Sequence, residues 1–132
     1  MPIQESIERC SEIMIYRDGV PTACRSGEPC FLKILNAWKE MTAEAIQMPA
    51  FGVSIDSLTR KEMTKGIWVE FKFQKDSEFD GMPFQRLLVS VKPENTGFNL
   101  IRYWDGGYNG RCFYLDLGKR SMKDFYSVLM NL

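Results

Sequence analysis

The side chains best equipped for chemistry in this sequence are aromatic, guanidinium and carboxylate groups set two residues apart. Trp68, Glu70 and Lys72 alternate with the apolar Ile67, Val69, Phe71 and Phe73. Arg86, Leu88 and Ser90 alternate with Leu87, Val89 and Val91, and Cys112, Tyr114 and Asp116 repeat the spacing further on. A period of two puts each set on one face of a β-strand. The stretch from Phe98 to Trp104 is ambiguous, because Phe98, Leu100, Arg102 and Trp104 oppose Asn99, Ile101 and Tyr103, and both sets are partly apolar. With the first set outward, Trp68, Arg86, Arg102, Trp104 and Tyr114 make an aromatic–basic patch. Such a patch suits a protein, a peptide or a single nucleic-acid strand, through stacking and guanidinium contacts. The competing reading is cross-strand aromatic packing that stabilises the sheet itself.

Other residues invite the same weighing. Tyr108 sits in the run Asp105-Gly106-Gly107-Tyr108-Asn109-Gly110, where an aromatic can anchor a partner or fold back on its own hairpin. Gly118-Lys119-Arg120-Ser121 precedes a helix and offers an anion two basic side chains, but it lacks the spacing of a phosphate-binding loop. Cys112 follows Arg111, yet strand neighbours point to opposite faces, so the thiol reads as structural. Glu70 and Asp116 share a face by alternation and are candidates for a carboxylate pair, with nothing to fix their separation.

What is missing narrows the chemistry. The chain has no histidine, which excludes Ser-His-Asp and Cys-His catalysis, histidine metal ligands and a histidine pH switch. Any acid–base step falls to Asp, Glu, Lys, Tyr or Cys. The cysteines are Cys10, Cys24, Cys30 and Cys112, and no two form a C-x-x-C pair. Glu5, Glu8, Arg9 and Glu12 interrupt the N-terminal stretch, so no secretory signal is read there, and no apolar run is long enough to span a bilayer. Reduced thiols and a cytoplasmic setting are the expectation. Seventeen basic residues balance seventeen acidic ones, and a phosphate-binding domain usually carries a basic excess. Only residues 97–132 lean basic, with five basic against three acidic side chains. No cofactor or metal motif is present.

These residues need a scaffold. A length of 132 residues with 45% hydrophobic content is that of one domain able to bury its own core. The first residues read as a short helical turn or a loose arm. Glu12–Arg17 reads as a strand ended by Asp18-Gly19, and 21–27 as a loop. Ser26 and Pro29 open an amphipathic helix whose stripe of Phe31, Ile34, Leu35, Trp38, Thr42, Ala45 and Ile46 carries it to about Gln47, before Pro49. Residues 50–55 form an extended link. Asp56 or Ser57 caps a short helix closed by Gly66.

Four strands follow, over 67–73, 84–91, 98–104 and 111–117. Turns around Asp80-Gly81, 93–97 and 105–110 join them into an antiparallel meander. Ser121 and Asp124 resemble a capping box, before a helix striped by Met122, Phe125, Val128, Leu129 and Leu132. The expected class is α+β, in the order β-α-(short α)-β-β-β-β-α. A mostly antiparallel sheet of four to five strands carries two main helices on one face. The opposite face is then wet or used. The leading reading is a single, non-catalytic binding or regulatory domain that meets a protein or peptide partner, or a second copy of itself, on that face. A small enzyme with a carboxylate, Tyr and Arg site is the first alternative, and a nucleic-acid binder using the basic C-terminal segment is the weaker one.

Overall fold

The computed structural model describes residues 2–50 and 52–132. Met1 lies outside them, as does Phe51 of the expected extended link. The architecture is α+β with an antiparallel sheet. In chain order the elements are α1 (Ile3–Ser6), a 3-10 turn (Ile7–Arg9), β1 (Glu12–Arg17), β2 (Val20–Arg25), α2 (Pro29–Thr42), β3 (Ile46–Met48) and β4 (Val53–Ser54). They continue with α3 (Asp56–Glu62), β5 (Ile67–Phe79), β6 (Met82–Val91), β7 (Gly97–Tyr103), β8 (Gly110–Arg111), β9 (Phe113–Asp116) and α4 (Lys123–Met130). Seven strands form one sheet in the order β2-β1-β5-β6-β7-β9-β3, and β4 pairs separately with β8. The expected meander is its centre. The sheet is wider than expected because β2 and β3 extend it on either side.

Three turns share one solution. Asp18-Gly19, Asp80-Gly81 and Asp105-Gly106 all have positive φ at both residues: 49° and 83°, 50° and 75°, 51° and 81°. Two successive left-handed residues match the twist of a tight hairpin, and Asp-Gly tolerates them. The first of these turns explains why 20–25 is a strand and not the expected loop. Arg17 and Val20 close the two-residue turn as partners, so the next pair, Tyr16 and Pro21, is one whose backbone N–H groups point away from each other. Proline there forfeits no ladder bond, and β2 is an edge strand, where proline is tolerated. The second turn is tighter than the expected polar region. β5 and β6 continue almost to Asp80-Gly81, with a register break between Lys72 and Ser77.

Helix α2 stops at Thr42, five residues short of the expected end. Ala45 and Ile46 fit its stripe by spacing, but Ile46 pairs with Asp116 in β3 and its side chain is exposed. Tertiary strand pairing overrides the helical period there. At α4, Ser121 Oγ accepts from the Lys123 backbone N–H, 3.2 Å, and no side chain caps Met122. Leu132, expected on the buried stripe, is exposed.

One face of the sheet is a dry core under α2 and α4. Ile13, Ile15, Val69, Phe71, Leu87, Val89, Phe98 and Leu100 meet Ile34, Trp38, Phe125 and Leu129. Trp38 is the hinge of this packing. Its ring lies 5.0 Å, 5.6 Å and 5.8 Å from Phe71, Phe98 and Phe125, each edge-on. Its indole N–H donates to the Gln4 carbonyl, 2.9 Å, which ties α1 to the core.

The second face is not left open, as the element order suggested. The chain from β3 through β4 and α3 crosses it. Gly52 lies so close to Asn99 that a β-carbon would stand 2.8 Å from Asn99 Oδ1. Met63, at the end of α3, joins Trp68, Leu88 and Tyr108 in a second, smaller apolar cluster.

Cys24 and Cys30 are joined by a disulfide, with Cα atoms 6.0 Å apart, so the expectation of four reduced thiols does not hold for this pair. Cys10 and Cys112 are free and buried. Burial pushes the Cys10 thiol up to about 12, and burial raises Cys112 as well.

Candidate functional site

The chemistry-bearing residues collect on the second face, around a carboxylate that alternation alone would have placed in water. Glu70 is 0% exposed. Strand β5 points it away from the dry core, and the 105–110 hairpin then closes over it. Tyr108 Oη donates to Glu70 Oε2 at 2.5 Å, and Tyr16 Oη donates to Oε1 at 3.1 Å. Arg86 Nη1 stands 3.7 Å from Oε1. Its guanidinium lies over the Tyr103 ring, 4.3 Å from the centroid, and Tyr103 meets Tyr108 edge-on at 5.0 Å. A buried carboxylate needs such partners, since each unmatched lone pair would cost desolvation energy. Burial first, and the Glu70 charge second, raise both phenols well above the usual tyrosine range. Both therefore remain donors and serve poorly as bases.

The hairpin that carries Tyr108 is pinned from α3. Asp56 Oδ1 accepts from the Tyr108 backbone N–H at 2.9 Å, and Asn109 Oδ1 accepts from the Asp56 N–H at 3.0 Å. Arg60, one turn on, pairs with Asp56 at 2.9 Å and lies 5.3 Å from the Tyr108 ring centre. The Tyr108 N–H, and then Arg60, hold the Asp56 carboxyl below its ordinary value of 3.8.

Beside this hub the cover ends, and a groove of about 740 Å³ opens between the end of α3 and the sheet. Trp68, Ile101 and Tyr114 supply apolar lining, Asn99 a polar one, and Lys65 and Lys92 two positive charges against the single carboxylate of Glu62. Asn99 Oδ1 is a buried atom with no hydrogen-bond partner among the described residues. Gly97 lets the Tyr114 ring lie against the strand, because a β-carbon there would collide with Tyr114 Oη and displace it.

The expected patch is thus partly assembled and partly dispersed. Trp68 lies on the second face but is only 5% exposed, with its indole N–H on the Lys65 carbonyl at 2.9 Å. Arg86 is on the same face, with its side chain 35% exposed, and half-buried Tyr114 lines the groove. Arg102 is not with them. It pairs with Leu87 and points to the core side, where Nε donates to the Arg111 carbonyl at 2.7 Å and Nη1 to the Pro83 carbonyl at 2.8 Å. Burial lowers its pKa. Trp104 follows Arg102 in alternation and closes the hairpin base through its backbone, exchanging hydrogen bonds with Gly107. The outward set of β7 is therefore Asn99, Ile101 and Tyr103, the half of the ambiguity left out of the expected patch.

Tyr108 is 2% exposed and folds back onto the sheet, so it is no anchor in its present position. Glu70 and Asp116 are separated by β6 and β7 and make no carboxylate pair. Arg120 donates to the Glu40 carbonyl, which occupies half of the basic pair before α4. Spacing gave no sign of Tyr16, Asp56 or Arg60, which come from elements distant in sequence. Among the described residues no three acidic or cysteine side chains converge as a metal site. No family model, no curated protein and no solved structure matches this chain.

Proposed function

We propose that the protein is a non-catalytic binding module that holds a segment of a partner protein in the groove on the second face of its sheet. The groove beside α3 carries this reading, because it joins an apolar floor to a positive rim on an otherwise closed face. Trp68, Ile101 and Tyr114 suit an apolar side chain. Lys65 and Lys92 suit a neighbouring acidic one. The reading takes residues 1–132 as one unit in an intracellular setting.

A random peptide library displayed on phage tests it. The wild type should enrich peptides that combine an apolar residue with Asp or Glu. Ser90→Trp, which fills the groove, and Lys92→Glu, which inverts part of its rim, should each abolish the enrichment. Their thermal midpoints should stay within a few degrees of the wild type. Absence of enrichment, or enrichment indifferent to both variants, overturns the reading. Concentration-dependent dimerisation that Ser90→Trp removes would replace the foreign partner with a second copy of this chain.

The enzyme alternative draws on one observation, the convergence of Glu70, Tyr16, Tyr108 and Arg86. Against it, Tyr108 closes Glu70 from solvent, and the phenols are held protonated. A substrate would have to lift the hairpin first.

A further inference from the structure

We infer that Cys24 and Cys30 form a thiol–disulfide exchange site, opened by a small monothiol of the glutathione class that attacks at Cys30. The inference is independent of the groove and rests on how differently the two sulfurs are presented. Cys24 is in edge strand β2 and is 1% exposed, packed into the dry core. Cys30 is the second residue of α2, directly after Pro29, and is only partly buried. The loop between them is short and sharply turned. Gly27 has φ of 94°, the Glu28 N–H donates to the Arg25 carbonyl at 3.0 Å, and Glu28 Oε1 accepts from the Arg25 N–H at 2.6 Å. A Cα separation of 6.0 Å is within the range of an ordinary disulfide. The turn and the pairing of β2 with β1 together hold the two cysteines at bonding distance.

The asymmetry sets the order of events. Of the two cysteines, Cys30 is the one open to an incoming thiolate, since Cys24 is 1% exposed and Cys30 only partly buried. The thiolate forms a mixed disulfide there, and the Cys24–Cys30 bond breaks with its electron pair going to Cys24, which takes up a proton. A second thiolate attacks the small molecule's sulfur in the mixed disulfide and releases Cys30 as thiolate. Two monothiols become one small disulfide and give up two protons, and the protein gains two electrons, with one proton on Cys24 and the other taken up by Cys30 or left in solvent while Cys30 stays a thiolate. Cys30 is suited to the leaving role by position. No side chain caps the start of α2 by a hydrogen bond, and the helix dipole favours negative charge at that end, opposed by the carboxylate of the N-cap residue Glu28. In the reverse direction the Cys30 thiolate attacks the small disulfide, and Cys24 resolves the adduct from within.

Thiol counting under graded ratios of reduced to oxidised glutathione tests this on the native protein, with denaturation only after alkylation. Under oxidising ratios, denatured samples should show two thiols, Cys10 and Cys112. After exposure of the folded protein to millimolar reduced glutathione, the thiols alkylated in the native state and those exposed on later denaturation should total four. Iodoacetamide should then modify native Cys30 at least about tenfold faster than Cys24, because access limits the reaction. Cys24→Ala, which removes the resolving sulfur, should accumulate a glutathione adduct at Cys30. Four thiols at every ratio would show that the bond does not form. A bond that resists millimolar thiol until the protein unfolds would be a fixed cross-link. Either result overturns the inference, as would an adduct that forms first on Cys24.

Discussion

The two faces of one sheet are built on opposite principles. Beneath α2 and α4 the contacts are apolar and edge-on aromatic, and Trp38 satisfies its single polar atom on Gln4. On the other face, the cover consists of a seven-residue helix and a hairpin held by named polar contacts. Asp56 pins the hairpin, Glu70 receives Tyr108 and Tyr16, and Arg86 lies against Tyr103. Dry packing has no direction and tolerates little loss of volume. A polar hub is directional and depends on every partner being present. The first arrangement fixes the sheet. The second holds a cover in place and leaves a groove at its margin.

Four substitutions sharpen or break that contrast. The largest effect is expected from Trp38→Ala, at about 3–5 kcal/mol in chemical denaturation, since it empties the centre of the aromatic packing. A loss under 1 kcal/mol would mean that the helices are not what fixes the sheet. Glu70→Ala comes next, at roughly 3 kcal/mol, because it leaves two phenols and a guanidinium without their acceptor. Tyr108→Phe, which removes one donor, should cost about 1–2 kcal/mol. Equal costs for the two would argue against a shared hub. The smallest effect concerns Asp56, whose folded pKa lies below 3.8. Its contribution is present above that ordinary value and fades as pH falls through the lower folded one. Asp56→Asn should therefore flatten the acid limb of stability against pH below about 4. It should also raise amide exchange at Tyr108 at neutral pH. An unchanged acid limb would remove Asp56 from the latch.

The sequence made the dry face readable and hid most of the other. Alternation in 67–73 and 84–91 identified Val69, Phe71, Leu87, Val89 and Val91 as the dry face, with Ile67 and Phe73 partly buried at its edge, and the three Asp-Gly pairs marked their turns. β2 was missed because Pro21 argues against a strand until its place in the pairing and at the edge is known. β3 was missed because Ile46 satisfies a helical period. Glu70 was assigned to the correct face, but nothing local says that a glutamate between Val69 and Phe71 will be covered. That burial comes from Tyr108, thirty-eight positions away. Arg102 shows the limit from the other side, as a charge on the core face that reaches the carbonyls of Pro83 and Arg111 at the sheet's rim. Periodicity reports which face a side chain takes, not what later chain will lie over it.

The strand order also carries a consequence for how the sheet comes together. β5, β6, β7 and β9 are neighbours in space and follow one another in the chain, so each pairing closes a modest loop. The flanks differ. Arg17 of β1 must find Ile67, and Ile46 of β3 must find Asp116. Closing such long loops takes more conformational entropy before any contact repays it, which slows a fold in proportion to its non-local pairings. Local pairing therefore favours early formation of the meander, with the hairpin of β1 and β2 adding on its β5 side, an order that φ-values in β6 and β1 would check. The segment that bears β3, β4 and α3 supplies Asp56, which pins the hairpin over Glu70, and Glu62 and Lys65 beside the groove.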